Sequence, residues 1–207
     1  MASLSITSIN INGLLDKSKR SVFFQYCLSK QFDIIFVQET HISCLREVNE
    51  IEREWKGRTY WSFGSSRSCG VGILIKPNLN HSVSSFYHDY EGRVILLNCQ
   101  YNNLKYRLIN IYAPNKERAR REFLLSLRRH LGGRIPLFLG GDFNFVENTS
   151  VDKIGGNLKS GTIGTTELNV LKQDYSLSDI FRKLWPKVKQ FTWHTPDNSV
   201  FCRLDRF

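Results

Sequence analysis

Polar side chains that could bind a metal or a water molecule stand at the ends of four apolar segments of this sequence. Asn10 ends ITSIN, Glu39 ends DIIFVQE, Tyr112 ends RLINIY, and Asp142 and Asn144 follow PLFLGG. A buried carboxylate without a partner is costly, so two carboxylates at the ends of apolar strands indicate a cation or a hydrogen-bond network. Ligand sites gather at strand ends in α/β proteins, and these oxygen donors suit Mg²⁺, which also accepts phosphate oxygens. The pattern predicts phosphodiester chemistry.

Each of these segments also has a structural interpretation. Asn10 and Asn12 could form an ordinary turn. Glu39 could cap a following helix, and Tyr112 could leave its strand through a proline turn. The GGDFN segment around Asp142 favours function, because its glycines allow close approach of the backbone and its two polar side chains alternate around a phenylalanine.

Length and charge set the class of protein. At 207 residues the chain can bury a core without disulfide bonds, and one domain is expected. It contains 41% hydrophobic and 23% charged residues, which excludes a disordered protein as an overall description. Lys and Arg number 29 against 19 Asp and Glu, and the net charge of +10 favours a polyanionic partner, above all nucleic acid.

Signals for membranes and for zinc are missing from the sequence. We find no signal-peptide pattern, no lipidation motif and no segment that approaches the roughly 20 apolar residues of a membrane span. The five cysteines form no CxxC pair, and the five histidines lack the spacing of metal ligands. We therefore expect reduced thiols, an intracellular location and no membrane partner.

Short strands and helices alternate along the chain, which predicts an α/β fold with mixed sheets. Apolar, β-branched runs predict strands at 4–11, 33–39, 70–76, 93–101, 106–112 and 135–141, and short final strands at 190–194 and 200–207. Helices are predicted around 22–27, with Asp16 as a candidate cap, and at 116–131, 165–174 and 177–185. The polar segment 145–164 is longer than an ordinary loop and is predicted to bind substrate.

Five motifs occur in a familiar order: SINING (8–13), VQETH (37–41), NIYAPN (110–115), GGDFN (140–144) and RLD (203–205). Together they resemble the signature of the exonuclease III, apurinic endonuclease and DNase I superfamily. Within it, LSDIFRKLWPKVKQFTWHTPDNSVFCRLDRF is similar to endonuclease domains of LINE-type non-LTR retrotransposons. The resemblance covers essentially the whole chain.

This resemblance implies a fold and an activity. The fold would be two packed mixed β-sheets flanked by helices, a four-layer sandwich of DNase I type. The activity would be Mg²⁺-dependent nicking of duplex DNA, with Mn²⁺ as a substitute, to expose a 3′-hydroxyl that primes reverse transcription. The domain would be covalently joined to a reverse transcriptase and would act in the nucleus.

The resemblance also implies roles for the residues at the strand ends. Glu39 and Asn10 would lie at the metal, and Tyr112 near the scissile phosphate. Asp142 would accept a proton from the attacking water, which Asn144 would help to orient. These roles agree with the chemistry of each side chain.

The last motif departs from the superfamily pattern. By resemblance, Asp205 would orient a catalytic histidine and Thr192 would contact DNA. A Ser-Asp-His motif should follow RLD, but the sequence stops at Phe207 without one, and His194 precedes Asp205 in a strand-and-turn context that does not suit the role. We therefore expect residues 1–207 to form a single endonuclease-type domain that lacks its last strand and shows little or no Mg²⁺-dependent nicking by itself.

Basic side chains are candidates for phosphate contacts. The predicted DNA-binding residues are Arg118, Arg121, Arg128, Lys153 and Lys159, with Arg120, Arg129 and Lys189 as further candidates. The helix that carries the arginines could instead be only a solvated face. Alternative functions are a cellular apurinic endonuclease and a non-catalytic DNA-binding remnant, while a phosphoinositide phosphatase is disfavoured.

Overall fold

A computed structural model describes residues 3–157 and 162–207 of the chain. It divides into two units. Unit 1 comprises Met1–Tyr112 and Ile135–Gly141, and unit 2 comprises Ala113–Arg134 and Asp142–Phe207. The expectation of one domain over residues 1–207 stays a prediction.

The secondary structure of unit 1 is mainly β. Its strands are β1 (Ile6–Asn10), β2 (Ile34–Gln38), β3 (Arg58–Ser62), β4 (Val71–Ile75), β5 (His81–His88), β6 (Val94–Tyr101), β7 (Leu104–Tyr112) and β8 (Leu137–Asp142), whose last residue belongs to unit 2. Its helices are α1 (Lys17–Ser29) and α2 (Leu45–Trp55).

Two sheets pack together in unit 1. The first has the order β1-β2-β4-β3, with β1 parallel to β2 and β4 antiparallel to both of its neighbours. The second places β8, β7, β6 and β5 side by side, with antiparallel pairing from β5 to β7 as expected for consecutive strands. Strands β2 and β4 contact β7 across the interface between the sheets. The predicted α/β class with packed sheets is confirmed.

Helices α1 and α2 cover the outer face of the first sheet. Phe24 of α1 and Trp55 of α2 pack with alternate residues of β2, Ile35 and Val37, in one buried cluster. The predicted cap of α1 is confirmed, because the Lys19 amide donates to Asp16 Oδ1 at 2.7 Å.

Three elements of unit 1 were not predicted from the sequence. Helix α2 begins after Cys44, and its N-terminus is fixed by the Glu47 carboxylate, which accepts from the Ser43 and Cys44 amides. Strands β3 and β5 are edge strands, and β5 is largely exposed. An edge strand with one solvated face has little apolar pattern to detect.

Unit 2 is built from short elements. Its helices are α3 (Glu117–Ser126), α4 (Arg128–Leu131), α5 (Thr149–Asp152), α6 (Thr165–Tyr175) and α7 (Ile180–Leu184), and its strands are β9 (Lys153–Ile154), β10 (Trp193–His194), β11 (Phe201–Cys202) and β12 (Asp205–Arg206). The predicted helix 116–131 is divided at Leu127, and the predicted loop 145–164 contains α5 and β9. Strands β10, β11 and β9 pair antiparallel.

A buried ion network anchors the RLD segment within unit 2. Arg203 Nε donates to Asp152 Oδ1 at 2.6 Å, and Arg203 Nη2 donates to Asp179 Oδ2 at 2.7 Å. Arg182 also binds Asp152. Burial by itself raises the pKa of Asp152, but hydrogen bonds from the two arginines lower it below its ordinary value. The network therefore keeps a charged carboxylate inside the unit and holds the chain that leads to Asp205.

Candidate active site

The parallel strands β1 and β2 bring Asn10 and Glu39 together. Asn10 is the last residue of β1 and is level with Gln38, which Glu39 follows. Asn10 Nδ2 donates to Glu39 Oε1 at 2.7 Å. The backbone of Glu39 has φ +52°, in the left-handed region that costs free energy for a residue with a side chain of this size. This strand end therefore fixes a carboxylate and an amide in one cluster at the expense of local backbone strain.

The turn that follows β1 belongs to the same cluster. The Asn12 amide donates to Asn10 Oδ1 at 3.1 Å, and the Gly13 amide donates to the Glu39 carbonyl at 2.6 Å. The turn interpretation of Asn10 thus holds together with its contact to Glu39. The helix-cap interpretation of Glu39 is wrong, because α2 begins at Leu45.

Oxygen donors in this cluster fit a divalent cation. Glu39 is partly exposed, with 25% of its side-chain surface accessible, and His41 Nε2 lies 4.0 Å from Glu39 Oε2. Within residues 3–157 and 162–207, no three His, Cys, Asp or Glu side chains are close enough to bind a metal together. One carboxylate with an amide oxygen nearby is a donor set that suits Mg²⁺, since this ion keeps several waters and binds one or two protein carboxylates.

Tyr112 ends β7 and is buried in unit 1. Its ring faces the Arg93 guanidinium, with 5.4 Å between the guanidinium carbon and the ring centroid. Arg93 Nη1 also donates to the Tyr112 carbonyl at 3.2 Å, and the Tyr112 amide donates to the Arg93 carbonyl at 2.9 Å. Arg93 therefore fixes the ring that was predicted to lie near the scissile phosphate.

A buried amide pair in unit 1 was missed by the sequence analysis. Gln38 Nε2 donates to Asn110 Oδ1 at 2.6 Å, and both residues are fully buried. Asn110 Nδ2 donates in turn to the carbonyls of Val37 and Gly72, at 3.0 and 2.8 Å. Because Asn110 lies in the second sheet and its partners in the first, the pair fixes one sheet against the other beside Glu39. The detectable signal was a polar residue inside each apolar strand.

In unit 2, Asp142 and Asn144 form a compact turn. The Asn144 amide donates to Asp142 Oδ1 at 2.8 Å, and Asn144 Nδ2 donates to the Ala113 carbonyl at 2.7 Å. Asp142 is only 4% exposed, and Asn144 adopts φ +54°, a left-handed conformation that asparagine tolerates. The GGDFN motif therefore places a buried carboxylate and a constrained carboxamide side by side, through a left-handed turn after β8 rather than through continued strand alternation.

Asp205 and Thr192 meet in the same unit. The Thr192 hydroxyl oxygen accepts from the amides of Leu204 and Asp205, at 3.0 and 3.1 Å. Asp205 Oδ1 is buried without a hydrogen-bond partner among the described residues. Burial, followed by the charge of Asp142, raises the pKa of Asp205 to about 7, against the opposing effects of Thr192 and the Arg206 charge. Unit 2 thus holds two interacting carboxyl groups, and the pKa of Asp205 lies well above its ordinary value.

The basic residues predicted to bind DNA have different environments. Arg118, Arg121 and Arg128 lie at the surface but pair with Glu122, Glu167 and Asp174, respectively. Lys159 lies outside the described residues.

The burial and contacts of two other basic side chains, Lys153 and Arg120, do not favour a phosphate-binding role. Lys153 is buried, and its ammonium donates to the Asn157 carbonyl at 2.7 Å, which does not favour a phosphate contact. Arg120 is buried as well and donates to the carbonyls of Asn115 and Ile163, at 2.9 and 2.8 Å. Its guanidinium joins the segment after β7 to the start of α6, a structural role.

No helix in the described part of the chain has the length and apolar character needed to cross a membrane.

This chain is similar to known proteins in sequence and in fold, as the following three examples show. The "Transposon TX1 uncharacterized 149 kDa protein" of Xenopus laevis is 29% identical, over 98% of this chain and 16% of that protein, so the chain spans about a sixth of this relative's length. An exodeoxyribonuclease of Bacillus subtilis (strain 168) is 23% identical, over 99% of this chain and 87% of the relative. An AP endonuclease from Archaeoglobus fulgidus has the same fold, with a TM-score of 0.76 at 17% identity over 99% of this chain and 85% of that one.

These similarities confirm the predicted fold of DNase I type with its two mixed sheets. A family model described as "Endonuclease/Exonuclease/phosphatase family" matches residues 7–207. The match also confirms the prediction of an enzyme that hydrolyses phosphodiesters. The chain belongs to the endonuclease/exonuclease/phosphatase family.

Proposed function

We propose that this chain is the endonuclease domain of a LINE-type non-LTR retrotransposon, and that it nicks duplex DNA to leave a 3′-hydroxyl that primes reverse transcription. The observation that carries the proposal is the hydrogen-bonded pair of Asn10 and Glu39 at the ends of two parallel strands. The similarity to a transposon protein many times longer supports the setting. In that setting the domain is joined to a reverse transcriptase and acts on chromosomal DNA in the nucleus.

Glu39 and Asn10 would hold Mg²⁺. When bound there, the ion supplies positive charge that stabilises the charge developing on the phosphate. The strained backbone of Glu39 and the amide of Asn10 prevent the carboxylate from turning away, so the donor atoms are in place before the substrate arrives. Tyr112, fixed by Arg93, contributes its side chain near the phosphate.

Asp142 accepts the proton of the attacking water in this proposal. Its burial limits competition from solvent, and Asn144 is held against it so that the carboxamide can orient the water or a phosphate oxygen. Burial and the charge of Asp142 raise the pKa of Asp205, so that Asp205 binds a proton more readily than an exposed aspartate does. Thr192, fixed by the backbone around Asp205, contacts the DNA strand.

A plasmid-nicking assay tests the proposal. The 207-residue chain, in excess over supercoiled plasmid, is incubated with Mg²⁺, with Mn²⁺ or with a chelator, and each nick is tested for extension by a DNA polymerase. We expect slow, metal-dependent nicks that are extended, because extension requires a 3′-hydroxyl. Asp142→Asn should lower the rate by about 100-fold or more, since a general base contributes about 10²–10⁴-fold. Glu39→Gln should also lower the rate, because it removes the charge of the carboxylate that would hold the metal. Glu52→Gln, at an exposed position of α2, is the matched control.

A second substrate separates the proposal from its alternatives. Equal cleavage of intact duplex and of a duplex with one abasic site supports the retrotransposon type. Strong preference for the abasic site would instead identify a repair-type apurinic endonuclease. DNA binding without any metal-dependent nick would overturn the enzymatic proposal and leave a DNA-binding remnant.

A further inference from the structure

Arg206 is a buried cation that the proposed function does not yet use. It is 5% exposed, and its Nη2 donates to the carbonyls of Phe145 and Arg203. Its Nε and Nη1 are buried and make no hydrogen bond to any described residue. Burial and the neighbouring charge of Arg203 lower the pKa of Arg206 to about 10, so the side chain still carries its charge at neutral pH. A buried guanidinium whose donors lack hydrogen bonds lowers the stability of the folded state, so stability by itself does not explain an arginine at this position.

The guanidinium lies against the two phenylalanines that flank Asn144. Its central carbon is 5.3 Å from the Phe143 ring centroid and 4.8 Å from the Phe145 ring centroid. The two rings meet edge to face, with 6.3 Å between their centroids. A planar cation against two aromatic rings is a favourable cation–π arrangement. Together with the bond to the Phe145 carbonyl, Arg206 holds the residues on both sides of Asn144.

Constraining both neighbours of Asn144 also constrains its contact with Asp142. The Asn144 amide can donate to Asp142 Oδ1 only while the backbone keeps its left-handed turn. The Phe143 amide is held as well, by the Leu204 carbonyl at 3.0 Å. We propose that Arg206 is a positioning residue, which acts through Phe143 and Phe145 to set Asn144 against Asp142. The inference rests on the proposed function, because that function makes this pair the group that activates water.

The positive charge of Arg206 has a second measurable effect, on the pKa of Asp205. Asp205, its neighbour in the chain, is influenced by the Asp142 charge, the Thr192 hydrogen bond and the Arg206 charge. Arg206 is the cation in this set, and Arg203, Glu147, Asp152 and Asp179 are further charged groups that act on Arg206. Removing the charge of Arg206 should therefore raise the pKa of Asp205 further.

Two substitutions separate the geometry from the charge. Arg206→Lys keeps a cation but removes the planar group that lies on the rings, and Arg206→Met removes the charge but keeps apolar volume. Arg20→Met is the matched control, because Arg20 is a buried arginine of unit 1 with partners Glu54, Leu14 and Leu15. The measurements are the amide signal of Asn144 and the aspartate carboxyl titrations by NMR on the 207-residue chain, and kcat and KM for plasmid nicking.

We expect both Arg206 variants to displace the Asn144 amide signal and to lower kcat by about 10- to 100-fold with little change in KM, as expected for a misplaced catalytic group. Only Arg206→Met should raise the pKa of Asp205. Arg20→Met should lower stability without either effect. If Arg206→Met does not fold, Arg206→Lys decides.

Unchanged Asn144 signals in the variants, or a kcat within about twofold of the parent value, would overturn the positioning role. Failure of the proposed function gives a different result. A parent chain without any phosphodiester hydrolysis removes that function, whereas the NMR comparison still decides whether Arg206 sets Asn144 against Asp142.

Discussion

The buried amide pair in unit 1 gives the sharpest test of how the fold positions Glu39. Replacing Asn110 by alanine removes three hydrogen bonds: one from Gln38 Nε2 at 2.6 Å, and two to the carbonyls of Val37 and Gly72 at 3.0 and 2.8 Å. All three lie in a part of the sandwich where Gln38 and Asn110 are fully buried. The substitution therefore leaves Gln38 Nε2 with only its bond to Ser8 Oγ at 3.0 Å among the described residues, and it removes a donor from two buried carbonyls.

The magnitude follows from the number of groups affected. A buried polar group that loses its partner costs about 1–3 kcal/mol, and relaxation or a water molecule recovers part of that cost. We expect Asn110→Ala to lower the free energy of unfolding of unit 1 by about 3–5 kcal/mol, the sum over the lost bonds after such relaxation. Asn98→Ala is the control, because Asn98 bonds Ser85 and Arg107 at a half-buried position of β6, and about 1 kcal/mol or less is expected there.

Urea unfolding followed by tryptophan fluorescence measures the change. Trp55 and Trp61 lie in unit 1, so replacing Trp185 and Trp193 of unit 2 by phenylalanine makes the signal report unit 1. A double-mutant cycle with Gln38→Ala then isolates the coupling between the two amides. A loss for Asn110→Ala no larger than that for Asn98→Ala would refute the reasoning, as would a coupling energy near zero.

Three further predictions concern unit 2. Asp205→Asn should gain stability relative to the parent as pH rises from about 5 to 8. The folded pKa of Asp205, about 7, exceeds its unfolded value, so between these two pKa values the parent loses about 1.4 kcal/mol of stability per pH unit as pH rises. Urea titrations at both pH values measure the difference between parent and variant. Charge reversal at Arg128 and Arg129 should reduce the slope of log affinity for DNA against log salt by about 0.9 for each true phosphate contact, and an unchanged slope would make the arginines a solvated face. Thr192→Val should displace the Leu204 and Asp205 amide signals in NMR spectra, because it removes the oxygen that accepts from both, whereas Thr195→Val serves as a control at the β10–β11 turn.

Local patterns in the sequence were sufficient to predict much of the fold and to nominate candidate site residues. Apolar runs predicted the strands that end at or next to Asn10, Glu39, Tyr112 and Asp142, and β2 shows the reason most clearly, because a fully buried strand must be apolar along its length. The polar residue that ends such a run is conspicuous for the same reason. Edge strand β5 escaped prediction because it is largely exposed and has little apolar pattern, whereas helix α2 carries a detectable signal that the prediction missed: Val48, Ile51 and Trp55 recur at helical spacing.

Only the tertiary structure decided which residues form hydrogen bonds with each other and which side chains are buried. The sequence by itself determined that Asn10, Glu39, Asp142 and Asn144 are unusual, and that the chain is strongly basic. It did not determine that Asn10 binds Glu39, 29 positions away, or that Lys153 is buried while Arg118 is exposed. Such contacts depend on which strands become neighbours, and that choice follows from the packing of the whole core rather than from any local pattern.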